Sequence, residues 1–446
     1  MARAYGHGLT GAGREASVSM LKVALGAWAL LLAMFIFLVG HGLQYPLLQL
    51  RGSAEGIPVD VIGRIMSAYF IGFLVGSILV PRAVPVVGHI RVFVACAALA
   101  STTILVQAVV VEPVTWFAMR LLTGICYAGL YIVAESWIND KATNKTRGQL
   151  LSLYLMCQFA GVAIGQYLIT AADVRGFELF ILASILLGVG VLPILLTRQA
   201  APEIRPRARM GPLLLLGRAP MAVVGVLLVG IGQGSYGNLG ALYGQAMGLS
   251  VEAIARFLSF AIIGALVFQW PVGRLSDGVD RRVVLAVASL IAAGLAVAAV
   301  ALGSAGLAAT WALPAISFLF GGAIYPLYAV LVATANDRLQ PDERVAAAGT
   351  LLLLYGVGGM MGPTVISLAM KQVGPAGFFL SQAVLFGLVG LYALWRMMQR
   401  EPAVHAGTVD PVLPTTTAAA TLAAAGASDA AASRDGGETG GVDPTR

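Results

Sequence analysis

Twelve apolar stretches of about 20 residues divide this 446-residue chain, at roughly 23–46, 59–80, 92–111, 114–136, 148–170, 178–197, 220–246, 253–273, 283–303, 311–335, 345–370 and 375–395. A stretch of that length crosses a bilayer as a helix, in which a lone segment pairs its own backbone groups without water. An all-α membrane protein with 12 transmembrane helices is therefore predicted. Charged residues are 11% of the chain, against about 25% in an average soluble domain, so the surplus apolar surface belongs in lipid.

The second constraint is a duplication. Asn139, Asp140, Lys141, Arg147, Gly161 and Gly165 recur 197 positions later as Asn336, Asp337, Arg338, Arg344, Gly358 and Gly362. A register of 192 pairs Arg64 with Arg256, Ser67 with Ser259, Gly72 with Gly264 and Arg82 with Arg274. Six runs precede the midpoint and six follow it, so the second half enters the membrane from the same side as the first. The domain reading is an N-terminal segment 1–22, a six-helix bundle 23–197, a linker 198–219 broken by Pro202, Pro206 and Pro212, a second six-helix bundle 220–395, and a tail 396–446. That tail is Ala-, Thr-, Gly- and Pro-rich and aperiodic, which reads as disorder. Two pseudo-symmetric bundles in parallel repeat are the build of transporters that rock one half against the other.

Charge sets the orientation. Of 28 Lys and Arg residues, five (Arg51, Arg64, Arg175, Arg256, Lys371) lie on one side and Arg120 lies inside run 4, leaving 22 for the termini and the even-numbered connections. Basic loops stay in the cytoplasm, which places both termini there. The net charge of +7 comes from scattered short loops rather than one basic face, which fits anionic lipid headgroups and argues against nucleic acid. Cys96, Cys126 and Cys157 fall in apolar runs without metal-ligand spacing and read as packing residues, so no metal or cofactor is expected. The first 22 residues are polar and no cleavable signal peptide is evident.

Polar residues cluster in runs 1, 4, 7 and 10. These are His41, Gln44 and Tyr45; Arg120, Tyr127 and Tyr131; Gln233, Tyr236 and Asn238; and Tyr325 and Tyr328. Gly and Pro interrupt the same runs, and freed backbone groups are tolerated at membrane depth only beside protein or a watery cavity. A cavity lined by these residues is expected, with interfacial aromatic belts the competing account of the tyrosines. Arg120 is costly in hydrocarbon and should face a polar cavity, a partner or an anionic solute. His41, with an ordinary pKa of about 6.5, suits either a proton carrier or a hydrogen-bonded core residue. Glu135 suits an ion-pair network with Arg82 or Arg91, or a translocation site. Arg64 and Arg256 either snorkel to the interface or gate the outer mouth by pairing with Asp60, Asp173 or Glu178.

After run 8 comes Gly273-Arg-Leu-Ser-Asp277-Gly-Val-Asp280-Arg281-Arg282. A carboxylate there can latch onto the positive start of run 5 at Arg147, and Arg281 or Arg282 can reach Asp337. In the first half the same loop keeps Arg82, Gly88 and Arg91 but has Pro81 and Pro85 in place of Gly and Asp, which predicts an asymmetric inner gate. The loop resembles the signature of the major facilitator superfamily, with Asp280 where a second Gly is usual. Arg120-x-x-x-Gly124 resembles that family's motif in the fourth helix, and Val133-Ala-Glu135-Ser136 with Arg147-Gly148 resembles its YcaD-like bacterial branch.

The resemblance implies a secondary transporter working by alternating access in the bacterial inner membrane, expected as a monomer, moving a small solute with protons as an optional second cargo. Gln166 stands where family antiporters carry Pro, which weighs against export by antiport. An uncoupled facilitator and a multidrug or metabolite efflux pump stay open. A membrane enzyme or receptor is disfavoured, since no HExxH, phosphate-cradling Gly-Lys run or paired intramembrane acids occur. The Gln, Asn, Tyr and Arg set favours a small polar or anionic solute.

Overall fold

The computed structural model describes residues 8–141, 147–197, 210–340 and 343–399. Twelve helices among them are long and apolar enough to cross a membrane: α1 (Ala27–Ala54), α2 (Val59–Val87), α3 (His89–Val109), α4 (Pro113–Ile138), α5 (Leu150–Ala171), α6 (Glu178–Leu195), α7 (Pro220–Ala246), α8 (Val251–Gly278), α9 (Arg281–Ser304), α10 (Ala312–Asn336), α11 (Ala346–Val373) and α12 (Ala376–Gln399). The largest departures from the sequence expectation are at two ends. α1 continues past Pro46 to Ala54, and α2 runs through Pro81 and Pro85 to Val87. Leu47, Leu48 and Leu50 are buried beyond the proline, and unpaired backbone in a membrane costs more than one proline inside a helix.

Packing repeats along with the sequence. In the first half α1 packs on α5, α2 on α4 and α3 on α6; in the second, α7 packs on α11, α8 on α10 and α9 on α12. The contact points repeat as well. Gly72 abuts the Leu121 carbonyl and Gly124 the Tyr69 carbonyl, so closely that a Cβ on either glycine would collide. Their counterparts Gly264 and Gly321 abut the carbonyls of Phe318 and Ala261 in the same way. Gly165 meets the Val39 carbonyl as Gly362 meets that of Ile231. Missing side chains let helix backbones touch, which is how bundles associate when lipid removes the hydrophobic drive.

The halves meet along α2–α11, α5–α8 and α1–α7. The first two seams exchange when the halves are swapped. The end of the linker belongs to the second half: Thr350 Oγ1 donates to the Met210 carbonyl at 2.5 Å, Leu215 of the short helix Pro212–Arg218 is buried, and Arg218 pairs with Glu343 between α10 and α11.

Candidate functional site: a cavity between the halves

A cavity of about 310 Å³ lies between the two halves and draws its lining from α1, α2, α4 and α5 on one side and α7, α8, α10 and α11 on the other. The lining preserves the internal repeat. His41 faces the cavity as does Gln233, Tyr131 as does Tyr328, and Gln158 as does Tyr355, each pair separated by 192 or 197 positions.

His41 faces the cavity from the first half and is held through one ring nitrogen. Its Nε2 is 2.9 Å from the Tyr45 hydroxyl and 3.4 Å from that of Tyr69, and its ring lies 4.0 Å from the ring of Tyr127. Across the cavity the Gln233 amide donates to the Ile324 carbonyl at 2.7 Å and accepts from the Tyr355 hydroxyl at 2.9 Å. That leaves Gln233 fixed as a rigid polar post.

Arg120 sits one side chain behind the wall. It is fully buried, its guanidinium carbon 4.8 Å from the Tyr69 ring and 5.8 Å from the Tyr45 ring, and its Nη2 is 3.5 Å from Asn238 Oδ1. Nε and Nη1 have no hydrogen-bond partner among the described residues. Tyr45, Tyr69 and Asn238, which Arg120 touches, all line the cavity. The cation therefore contributes its field to the cavity without occupying it, at a position where no carboxylate among the described residues pairs with it.

Of the eleven polar residues expected at the cavity, His41, Tyr45, Tyr131, Gln233, Asn238, Tyr325 and Tyr328 line it. Arg120 and Tyr127 lie directly behind that lining. Gln44 is buried and off the wall. Tyr236 departs from the expectation: it turns into the core of the second half, bonded to Ser317 Oγ at 2.6 Å and packed against Phe257, Phe320 and Phe378. On one helix, residues two apart point to nearly opposite faces, so Tyr236 and Asn238 cannot share a wall. The expectation also confined the lining to α1, α4, α7 and α10, whereas Tyr69, Phe73, Gln158, Phe159, Gln269 and Tyr355 come from the helices between. For Gln158 and Gln269, an amide in an otherwise apolar run was the available signal.

Side-chain bonds joining the halves, among the described residues, fall toward the ends where α1 meets α2, termed outer below. Gln49 Nε2 donates to the Gly237 carbonyl at 2.9 Å, and its Oε1 accepts from the Ala241 and Leu242 amides at 2.9 and 3.3 Å. Ser67 and Thr364 hydroxyls meet at 2.8 Å, Ser259 donates to the Ala163 carbonyl at 3.0 Å, and Lys371 pairs with Asp60 at 3.2 Å. Asp60 also holds Arg64 at 3.2 Å, while Arg256 stacks on Trp311.

At the inner ends, Arg281 pairs with Asp337 and lies 3.5 Å from the exposed Asp277. Asp280 caps α9, accepting from the Arg282 amide at 2.9 Å and pairing with its guanidinium at 2.8 Å, which gives the residue at the usual glycine position a structural duty. Arg82 turns back to the Ile78 carbonyl of its own helix, and Arg91 is exposed. Glu135 is buried near the inner end of α4. The expected latch between Asp277 and Arg147 involves a side chain outside the described residues.

The chain's relatives agree with this architecture. The sequence profile of the Major Facilitator Superfamily matches residues 30–335 and 257–425. An uncharacterized MFS-type transporter, YcaD, of Escherichia fergusonii is 29% identical over 320 residues, covering 71% of this chain and 82% of its own. An uncharacterized MFS-type transporter of Yersinia pestis is 28% identical over 376 residues, 84% of this chain and 95% of its own. Among solved structures, the nucleoside transporter NupG superposes with a TM-score of 0.65 at 14% identity, over 84% of this chain and 99% of its own. A bacterial homologue of the lysosomal transporter Spinster, inward-facing and unoccupied, gives 0.64 at 16% identity, over 92% and 97%. Such identities carry the fold alone. The chain is a multi-pass protein of the bacterial inner membrane, a solute transporter rather than an enzyme, and it belongs to the major facilitator superfamily, in its YcaD-like branch.

Proposed function

We propose that the chain is a secondary transporter that carries a small polar or anionic solute by alternating access, with 23–197 and 220–395 as the moving bodies and 198–219 as their tether. The observation that carries this reading is Arg120, a buried cation with no carboxylate partner among the described residues, placed behind residues that line a cavity shared by both halves. An anion in the cavity supplies the missing countercharge; a cation would meet repulsion in a low-dielectric site. The seal at the outer ends, above a cavity that reaches inward to Leu352, supports an inward-facing state if the termini are cytoplasmic. Rocking the halves about the cavity would then break that seal while the inner ends close.

Flux into proteoliposomes of matched anionic, neutral and cationic solutes tests this. Anions should be preferred, and Arg120→Gln should abolish the preference. Transport of cations alone would overturn the solute reading, and outer ends that never separate, as measured between spin labels at Glu55 and Ala246, would overturn alternating access.

Coupling to protons has one observation in its favour, the placement of His41 between two cavity-lining tyrosine hydroxyls. On that reading His41→Gln uncouples uptake from a pH gradient yet leaves counterflow of the solute intact.

A further inference from the structure

The cavity's lining is unusual for a site that takes a small polar solute. Nine of its 24 lining residues are Phe or Tyr, where aromatic residues are 8% of the chain. The rings come from both halves, and some already meet each other: Tyr328 is edge-on to Tyr355 at 5.1 Å between centroids, and Phe159 of the first half is edge-on to Tyr325 of the second at 6.3 Å. Edge-on pairs do not stack both ring faces on each other, and an unstacked face can receive another flat π system.

The remaining polar lining has a single character. Apart from His41 it consists of tyrosine hydroxyls and the side-chain amides of Gln158, Gln166, Gln233, Asn238 and Gln269, and no Asp, Glu, Lys or Arg lines the cavity. Amides and hydroxyls can donate to an anionic oxygen without pinning it as a salt bridge would. Among the described residues two full charges act on the lining from behind it, Arg120 at the Tyr45, Tyr69 and Asn238 end and Glu135 at the Tyr131 and Tyr328 end, so the field favours an anionic group at the first end and disfavours one at the second. A cation over a tyrosine ring draws density from it and strengthens its hydroxyl as a donor.

We infer that the transported solute is an aromatic organic anion, its ring held among the Phe and Tyr faces and its anionic group turned to the Tyr45, Tyr69 and Asn238 end. The inference rests on the proposed transport of a polar or anionic solute and narrows it. The cavity's size suits a solute on the order of one or two fused rings.

Equilibrium binding to the purified full chain, by calorimetry and by thermal unfolding in detergent, tests the assignment with four probes of similar size. These are 2-naphthoate, its saturated counterpart decahydro-2-naphthoate, the neutral 2-naphthamide and the cationic 2-naphthylmethylammonium. Expected is binding of 2-naphthoate about tenfold or more tighter than the saturated acid and tighter than the amide. Phe73→Leu, which keeps an apolar side chain but removes the ring, should weaken 2-naphthoate several-fold and leave decahydro-2-naphthoate unchanged. Equal affinities for the two acids would overturn the aromatic assignment while anion transport stood. Binding of the ammonium probe as tight as that of 2-naphthoate would overturn the anion reading itself. Failure of 2-naphthoate to bind a sample that still unfolds cooperatively would also overturn the aromatic assignment.

Discussion

Gln49 and Gly237, on opposite halves, are joined by a hydrogen bond of 2.9 Å from the side-chain amide of the first to the backbone carbonyl of the second. The same amide accepts from Ala241 N–H at 2.9 Å. Gly237 C=O and Ala241 N–H are four residues apart, the two groups that pair with each other in an unbroken α-helix. Gln49 thus brackets one turn of the continuous helix α7, whose own ladder can keep both backbone groups paired when the side chain withdraws.

Gln49→Leu keeps the size of the side chain and removes these cross-half bonds, each worth about 1 kcal/mol net. The outer-open population should rise about tenfold, read as longer distances between spin labels at Glu55 and Ala246. Asp60→Asn, which breaks the pair with a Lys371 side chain that is 58% exposed, should shift the same distribution less than about threefold, and salt should mimic it. Equal effects from the two substitutions would contradict this ranking.

The paired glycines give a second prediction. Gly72→Ala and Gly264→Ala each force a Cβ onto a neighbouring carbonyl, that of Leu121 and that of Phe318, so both should lower stability by about 1–3 kcal/mol or more. Gly294→Ala on α9, where an added Cβ meets nothing within 4 Å, should be neutral or slightly stabilising. Thermal unfolding in detergent separates these cases. A harmless change at one of the first two positions would mean that the repeated close contact does not hold in both halves.

How much of this was legible in the sequence depends on the interaction. Helix–helix pairing was, because Gly161, Gly165 and their counterparts 197 residues on need a neighbouring backbone to meet. Which face a residue presents was not: the sequence predicts Tyr236 at a cavity that Gln233, Gly237 and Asn238 of the same helix reach and Tyr236 does not. Gln49 carried no signal, since a glutamine near a helix end reads as interfacial, and its meaning comes only from the backbone opposite. Lining by Phe73, Phe159 and Tyr355 was hidden because aromatic residues in an apolar run look like core until two bundles leave a gap between them.

At the linker, the Arg218 guanidinium bonded to Glu343 holds its carboxyl below the usual carboxylate range, helped by the Gln340 amide. A depressed carboxyl supports the attachment at pH above its unfolded value, about 4.3, and loses that support as pH falls through the lower folded value. Amide exchange in Pro212–Arg218 should therefore stay slow from pH 7 to about 5 and accelerate at more acidic pH, after correction for intrinsic rates. Glu343→Gln should show the fast exchange already at pH 7.

Arg120 sets function against stability. A buried guanidinium with aromatic faces, one long amide contact and two unbonded nitrogens carries a desolvation cost that its surroundings do not fully offset. Arg120→Met fills similar space without charge and should leave thermal stability unchanged or raise it, by up to about 4 kcal/mol. The same variant should lose any stabilisation by anionic solutes, since the field behind Tyr45, Tyr69 and Asn238 is gone. If instead Arg120→Met lowered stability by more than about 2 kcal/mol, the charge would have to be compensated within the protein, and the need for an anion in the cavity would disappear with it.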